Sequence, residues 1–363
     1  MALLKTHLVM LLACAAAGLS FIFSPAEQWY RAIDWRTLNL LFCLMVVVAG
    51  MRECALFRTL AANLLKNRTR YRTIAHLLIQ LTFLLSMLIT NDVALLALTP
   101  FAIYLLDRLH LRDRIPGMLV LQTVAANLGS MATPVGNPQN LFLYTAFEIP
   151  ATDFFIAMLP LTLFGGLLLA ILTQFLKDAP LNTAVNAIAF APQSPKLKIY
   201  TALFILCLCS VFRWIPDTIT FGIITLYALL FGRSALKHVD YALLFTFVCF
   251  FIFSGNLAQI AWIRETFSVL LEQHTQATAT IASQILSNVP AAILLEPFTT
   301  DWKALLFGVN LGGFGTPIAS LASLISLGIY LKEPDAKAGH YLLLFTVSNL
   351  IFLMILSLCS QLF

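Results

Sequence analysis

Apolar runs of about 15–22 residues recur along the chain from Leu8 to Phe363, and each is close to the ~20 residues that cross ~30 Å of hydrocarbon as an α-helix. Of the 363 residues, 60% are hydrophobic and 11% are charged. Soluble domains are only about 45–50% apolar, so these values exclude a soluble globular protein. We therefore expect an all-α polytopic membrane protein without a separate soluble domain.

The polar residues do not form the patterns of an enzyme or of a nucleic-acid-binding protein. The net charge of +5 is explained by basic loops, because Lys and Arg of membrane proteins concentrate on the cytoplasmic side. We find no nucleophile with a paired base, no phosphate-binding glycine loop and no zinc spacing, and the seven cysteines lie mostly within apolar runs. We expect no enzymatic activity, no cofactor, no metal-ligand cluster and no nucleic-acid partner.

Two apolar segments are too long for one uninterrupted membrane helix. Segments 116–147 and 303–331 each have a cluster of Gly, Pro, Thr and Asn or Ser near the middle, which predicts a helix broken at mid-membrane. Between them, the proline-rich stretch 177–196 has the composition of a linker. It divides the chain into two parts, 1–176 and 197–363.

Three short matches recur in the same order in the two parts, which indicates an internal repeat. The pairs are Ile33-Asp34-Trp35 with Val239-Asp240-Tyr241, Thr90-Asn91-Asp92 with Ser287-Asn288-Val289, and Asn127-Leu128-Gly129 with Asn310-Leu311-Gly312. One such match would be expected by chance, but three in order would not. Each repeat is predicted to contain a hairpin followed by a broken helix.

The charge pattern predicts that the two copies are inverted. Basic residues flank the hairpin 73–106 on both sides, at 66–72 and 108–114, so the hairpin is predicted to be re-entrant with both ends in the cytoplasm. This arrangement leaves only five of the 22 Lys and Arg outside: Arg31, Arg36, Arg213, Arg264 and Lys303. The second hairpin, 277–298, then opens to the opposite side, as in many secondary transporters. The chain is expected in the bacterial inner membrane with a cytoplasmic N-terminus.

The hairpin tips and the helix breaks are the predicted binding site. Helix C-termini at such breaks attract cations through free carbonyls, and helix N-termini attract anions through free N–H groups. The candidate residues are Thr90, Asn91, Asp92, Gly129, Thr133, Gly136, Asn137 and Asn140 in the first repeat, and Ser287, Asn288, Gly312, Gly315, Thr316 and Ser320 in the second. A single break could merely kink a helix, but two equivalent breaks beside Asn-bearing hairpins favour a site.

Asp92 is the one carboxylate deep within an apolar segment. Ionisable residues at such depth are costly and usually functional, so Asp92 is predicted to bind a coupling cation or to carry a proton. Capping of the helix that follows is an alternative for an Asp at this position, and it is compatible with either role. A coupling sodium ion, if one is used, is expected near Asn91, Asp92 and Asn288.

Two motifs resemble those of a known superfamily. Residues 90–100, TNDVALLALTP, are similar to the arsenite-permease hairpin, and residues 127–140, NLGSMATPVGNPQN, are similar to the broken-helix motif of the anion permease branch. Nearly the whole chain resembles the ion transporter superfamily of arsenite permeases, D-type sodium/proton antiporters and divalent anion/sodium symporters. The resemblance implies elevator-like alternating access. It places the hairpin-tip Asn of the symporters at Asn91 and Asn288, although the Thr that follows it there is absent after both.

These features predict a secondary active transporter that moves a small anion across the inner membrane, coupled to a proton or sodium gradient. One alternative is a sodium/proton antiporter that uses Asp92, and another is a membrane scaffold or a subunit of an export machine. The expected partners are the small anion and the lipid bilayer, and a homodimer is left open.

Overall fold

The computed structural model describes residues 2–22, 26–181 and 194–362, and all regular secondary structure in these ranges is helical. The α-helices are α1 (Ala2–Ser20), α2 (Trp35–Glu53), α3 (Leu56–Leu65), α4 (Tyr71–Leu88), α5 (Asn91–Arg108), α6 (Ile115–Ser130), α7 (Pro138–Ala146), α8 (Ala151–Gln174), α9 (Leu197–Val211), α10 (Asp217–Phe231), α11 (Arg233–Leu236), α12 (Tyr241–Leu257), α13 (Ala261–Leu286), α14 (Asn288–Leu295), α15 (Trp302–Leu311), α16 (Leu321–Tyr330) and α17 (Ala338–Cys359). The prediction of an all-α polytopic membrane protein is confirmed.

Four of the described helices are long and apolar enough to cross a membrane alone, namely α2, α4, α8 and α17 with its extension to Leu362. The pair α12 and α13 also meets this criterion but bends by 101° at the intervening turn. Shorter apolar helices such as α9, α10 and α16 are also present, and a helix break separates α16 from α15. Several interrupted helices therefore accompany a few continuous ones.

The two predicted hairpins and the two predicted broken helices are present, with ends close to those expected. The hairpin 73–106 corresponds to α4 and α5, the broken helix 116–147 to α6 and α7, and the broken helix 303–331 to α15 and α16. The hairpin 277–298 ends with α14, but its first arm belongs to the longer helix α13. A non-helical backbone conformation at His274, with φ −140° and ψ 35°, divides α13 into a preceding segment and the hairpin arm.

Helices from the two parts of the chain are interleaved. α4 packs on α6 and α13 on α15, so each hairpin lies against the broken helix of its own part. By contrast α1 packs on α12, and α10 packs on α2, so the outer helices exchange partners between the parts. α9 also packs on α2 and has no counterpart in the first part. The order of elements thus agrees with a repeat, while the inversion stays a prediction.

A strap on the N-terminus of α4 connects the first part to the linker. Tyr71 N–H donates to Ala179 O at 3.0 Å, and Asp178 accepts from the backbone N–H of Arg72 at 3.1 Å and from the Arg70 guanidinium at 3.0 Å. The Arg72 N–H is the main reason that the pKa of Asp178 lies below its usual value. The central residues of the predicted linker, 182–193, lie outside the described residues.

Candidate functional site

Four helix N-termini converge on one cavity of about 600 Å³. The first residues of α5, α7 and α14 line it, and so do Ser320 and Leu321 at the start of α16. α1 and α12 contribute mainly apolar residues to its lining, such as Leu12, Leu243 and Phe250. Because the first turn of a helix has free N–H groups and a partial positive charge, this convergence creates a region suited to an anion.

Each hairpin tip docks on the break of its own part through one backbone hydrogen bond. The N–H of Asn91 donates to Gly136 O at 3.1 Å, and the N–H of Asn288 donates to Ala319 O at 2.9 Å. Ser287, the residue before the second tip, has a φ of +79° and donates its Oγ to the same Ala319 carbonyl at 3.3 Å. The two tips are therefore held in equivalent positions.

Two buried asparagines, one in each part, reach the break of the opposite part. Asn127, at the end of α6, donates its Nδ2 to Gly313 O at 3.2 Å and accepts from Ser320 Oγ at 3.1 Å. Asn310, the equivalent residue of α15, donates its Nδ2 to Asn140 Oδ1 at 2.6 Å and accepts from Asn137 Nδ2 at 3.1 Å. The breaks are thus joined by reciprocal hydrogen bonds between the two parts.

Within the first break, α7 is held against the end of α6. Asn137 is the N-cap of α7, and its Oδ1 accepts from Asn140 N at 2.8 Å, while Pro138 occupies the first helical position. Asn140 Nδ2 donates to Ser130 O and Thr133 O, both at 3.1 Å. Ser130 O belongs to the last turn of α6, where the helix itself supplies no N–H donor, and Thr133 O belongs to the break that follows.

Within the second break, Gln284 of α13 has a similar role. Its Nε2 donates to Gly312 O at 2.8 Å and to Phe314 O at 2.7 Å, and its Oε1 accepts from Thr316 N at 2.9 Å. Gly315 has a φ of +108°, and a Cβ at this position would lie 2.4 Å from Gln284 Oε1. The turn therefore requires a residue without a side chain.

Gly129 allows the closest approach between hairpin and broken helix. A Cβ on Gly129 would lie 2.0 Å from the backbone O of Phe83 and 2.3 Å from Ser86 Oγ. Such distances are incompatible with any side chain unless the α4 backbone moves. The small residue is thus needed for packing of α4 on α6.

The side-chain charge of the cavity is acidic. Its described lining contains two carboxylates, Asp92 and Asp240, and no Lys, Arg or His. Asp240 is the N-cap of α12 and accepts from Leu243 N at 2.9 Å. Asp92 lies in the first turn of α5, and its Oδ1 is buried without a hydrogen-bond partner among the described residues. No backbone N–H of the described part is bonded to the Asp92 carboxylate, so capping does not explain it.

The predicted site residues fall into two groups. Five of them line the cavity: Asn91, Asp92, Ser287, Asn288 and Ser320. The others shape the tips and breaks without lining it: Thr90, Gly129, Thr133, Gly136, Asn137, Asn140, Gly312, Gly315 and Thr316. Residues that the site prediction omitted are Asn127, Asp240, Gln284 and Asn310.

Comparison with known proteins agrees with this architecture. Residues 1–306 match the model of the CitMHS family, described as a citrate transporter. An uncharacterized transporter of Methanocaldococcus jannaschii is 35% identical over 94% of this chain and 93% of its own length. The inner membrane protein YbiR of Escherichia coli is 31% identical over 87% and 86%. The silicon efflux transporter LSI3 of Oryza sativa is 36% identical over 39% of this chain and 28% of its own length.

The family match covers most of the chain, and the first two relatives are similar over almost their full lengths. Both hairpins and the first broken helix lie within residues 1–306 of the family match, whereas the second break, which follows Leu311, lies beyond them. The chain therefore belongs to the CitMHS citrate transporter family and is a multi-pass membrane transporter.

Proposed function

We propose that this transporter moves a small anion across the inner membrane, coupled to a proton or sodium gradient. The observation that carries the proposal is the convergence of four helix N-termini on one cavity. An anion in the cavity would accept hydrogen bonds from the first-turn N–H groups that are not used to dock the tips or cap α7, and from the side-chain amide of Asn288. The side-chain amide of Asn91 is not counted, since Asn91 Nδ2 already donates to Asn127 Oδ1 at 3.2 Å. Backbone dipoles supply this attraction without a basic side chain.

Asp92 provides the coupling in this proposal. An anion close to an ionised, partly desolvated carboxylate is repelled, and the repulsion is strong where water is scarce. A proton or a sodium ion on Asp92 would remove it, so anion and cation would bind together. The unpartnered, buried Oδ1 of Asp92 supports this role, because an orphaned buried oxygen is costly and a bound cation or proton would satisfy it.

The proposal includes the inverted arrangement of the repeats. α3 carries Arg58 and is followed by Lys66 and Arg68, whereas the equivalent segment before His274, residues 261–273, has one basic residue, Arg264. This difference supports opposite sides for the two segments, with the basic one in the cytoplasm. The cavity extends from the hairpin tips to Asp240, which lies close to Lys237 and hence on the predicted cytoplasmic side.

The test is the variant Asp92→Asn in proteoliposomes, with citrate, sulfate, arsenite and silicic acid as trial substrates. We expect gradient-driven accumulation of the transported substrate to be lost while exchange of substrate for substrate persists, since Asn is permanently neutral. Asp240→Asn is the matched control, because Asn caps a helix as well as Asp does. Normal gradient-driven accumulation by Asp92→Asn would exclude the coupling role.

Sodium/proton antiport through Asp92 is a second candidate function. The observation that favours it is the acidic side-chain lining, with two carboxylates and no basic residue among the described lining residues. Sodium flux driven by a pH gradient, with no trial anion present, would support this candidate. Its absence, together with gradient-driven anion uptake, would support the anion transporter.

A further inference from the structure

Arg213 lies at the end of α9, the helix without a counterpart in the first part, and contacts the C-terminus of α7. Its Nη2 donates to Tyr144 O at 2.9 Å, and its Nη1 donates to Glu148 O at 3.1 Å. The guanidinium also lies over the Tyr144 ring, 4.8 Å from the ring centre. One side chain thus binds two carbonyls and an aromatic face at the end of the half-helix whose N-terminus lines the cavity.

The segment that contains α7 has no positively charged side chain of its own at this helix end. α7 has no basic residue in its last turn, and the residues that follow it are Phe147 and Glu148. The equivalent half-helix α16 also lacks a basic residue in its last turn, but Lys332 is the second residue after its end. Because cations stabilise helix C-termini, Arg213 supplies from another helix what α7 lacks.

The backbone conformation at position 213 favours glycine, so the side chain of Arg213 must explain why an arginine is present there. Trp214 N–H donates to Cys209 O at 2.9 Å and Arg213 N–H to Ser210 O at 3.0 Å, the pattern of a Schellman turn at the end of α9. Arg213 occupies the left-handed position of this turn with a φ of +65°, where glycine is favoured. An arginine is therefore present at a cost to the turn.

We propose that Arg213 is a positioning residue, which fixes α7 to α9 and thereby holds the N-terminus of α7 at the cavity. α7 has only nine residues, and Asn137 and Asn140 hold its N-terminal end while Arg213 holds its C-terminal end. The proposal rests on the proposed function only in that the cavity binds the transported substrate. The attachment itself can be measured without any substrate.

The experiment compares Arg213→Gly with the unmodified protein and with Arg264→Gln as a matched control. Arg264 is also exposed and on the predicted outer side, and the described residues show no side-chain hydrogen bond or ion pair for it. Hydrogen exchange is measured by mass spectrometry over α7 and α16. We expect the exchange rate in α7 to rise about tenfold in Arg213→Gly, and the rate in α16 to stay unchanged. A tenfold change is about the size expected for loss of a cation at a partly buried helix C-terminus.

Substrate kinetics then separate positioning from a structural role. We expect KM to rise about tenfold while the maximal rate changes less than about twofold, and the melting temperature to stay equal or rise, since Gly suits the left-handed turn. Arg213→Lys keeps the charge but not the two-carbonyl contact, so it should restore part of the affinity. If Arg213→Gly does not fold, the same two measurements on Arg213→Lys decide.

Two results would overturn the proposal. Unchanged exchange in α7 would show that Arg213 does not fix this helix. Raised exchange with an unchanged KM would show that fixing it does not position the site. If none of the trial substrates is transported, the proposed function fails while the exchange measurement still tests the attachment of α7 to α9.

Discussion

Asn310→Ala tests whether the two breaks form one unit. The substitution removes the hydrogen bond to Asn140 Oδ1 at 2.6 Å and the one from Asn137 Nδ2 at 3.1 Å. Asn137 Nδ2 keeps Ser130 as a partner, but Asn140 Oδ1 has no other hydrogen-bond partner among the described residues. An orphaned buried acceptor costs about 1–3 kcal/mol, and a hydrogen bond between membrane helices contributes about 0.6–1.7 kcal/mol. We therefore expect a loss of about 2–4 kcal/mol in unfolding free energy.

The assay is reversible unfolding in mixed detergent micelles, followed by tryptophan fluorescence. Asn349→Ala is the matched control, because Asn349 is also fully buried but donates only to Phe345 O of its own helix, and its Oδ1 has no partner among the described residues. We expect that control to change stability by less than about 1 kcal/mol. The double variant of Asn310 and Asn140 should show a coupling energy of at least about 1 kcal/mol. Additive effects, or equal losses in Asn310→Ala and Asn349→Ala, would refute the reasoning.

Two further predictions concern packing and pH. Gly129→Ala should destabilise the protein by about 1–3 kcal/mol, because its Cβ would lie 2.0 Å from Phe83 O. Gly117→Ala in the same helix is the control and should be neutral or stabilising, because its Cβ would meet only a Leu344 methyl at 4.0 Å. Equal melting temperatures of the two variants would contradict this. Asp178→Asn should lower the melting temperature at pH 7. Because the folded-state pKa of Asp178 is depressed, its contribution exists above about pH 4 and is lost as pH falls through the folded-state pKa. A difference in melting temperature that persists below that range would show that the Asp178 charge is not responsible.

The elements of this fold could be predicted from the sequence because apolar length and Gly/Pro clusters are local signals. The exception is α13, which begins at Ala261, well before the predicted start of the hairpin at 277. The intervening residues include Arg264, Glu265 and Glu272, so no apolar run indicated a helix. Most of residues 261–274 are exposed and only Ile263 and Leu271 among them are buried, a pattern that a search for apolar runs does not reveal.

The cavity could be predicted in part. Asn91 and Asn288 were predicted as site residues because they lie at hairpin tips within apolar segments, and both line the cavity. Asn127 and Asn310 were recognised only as repeat anchors, since their role depends on the distance between the two breaks, which sequence spacing does not give. The repetition of a buried Asn at equivalent positions was the available signal. Gln284 offered a weaker one, a lone amide just before the second tip.

The hydrogen bonds also restrict how alternating access could occur. Each hairpin tip is bonded to the break of its own part, and Asn127 and Asn310 bond each break to the other. A motion that separated the two breaks would leave several buried polar groups unpaired, at a cost of about 1–3 kcal/mol each. The residues that α1 and α12 contribute to the cavity are mainly apolar, and apolar contacts have no directional preference. A motion past α12 must, however, break a polar contact, the Ser254 Oγ–Ile293 O hydrogen bond of 2.9 Å between α12 and α14. Under the proposed function, we therefore expect the tips and breaks to move together past α1 and α12, which would carry the site from one side of the membrane to the other.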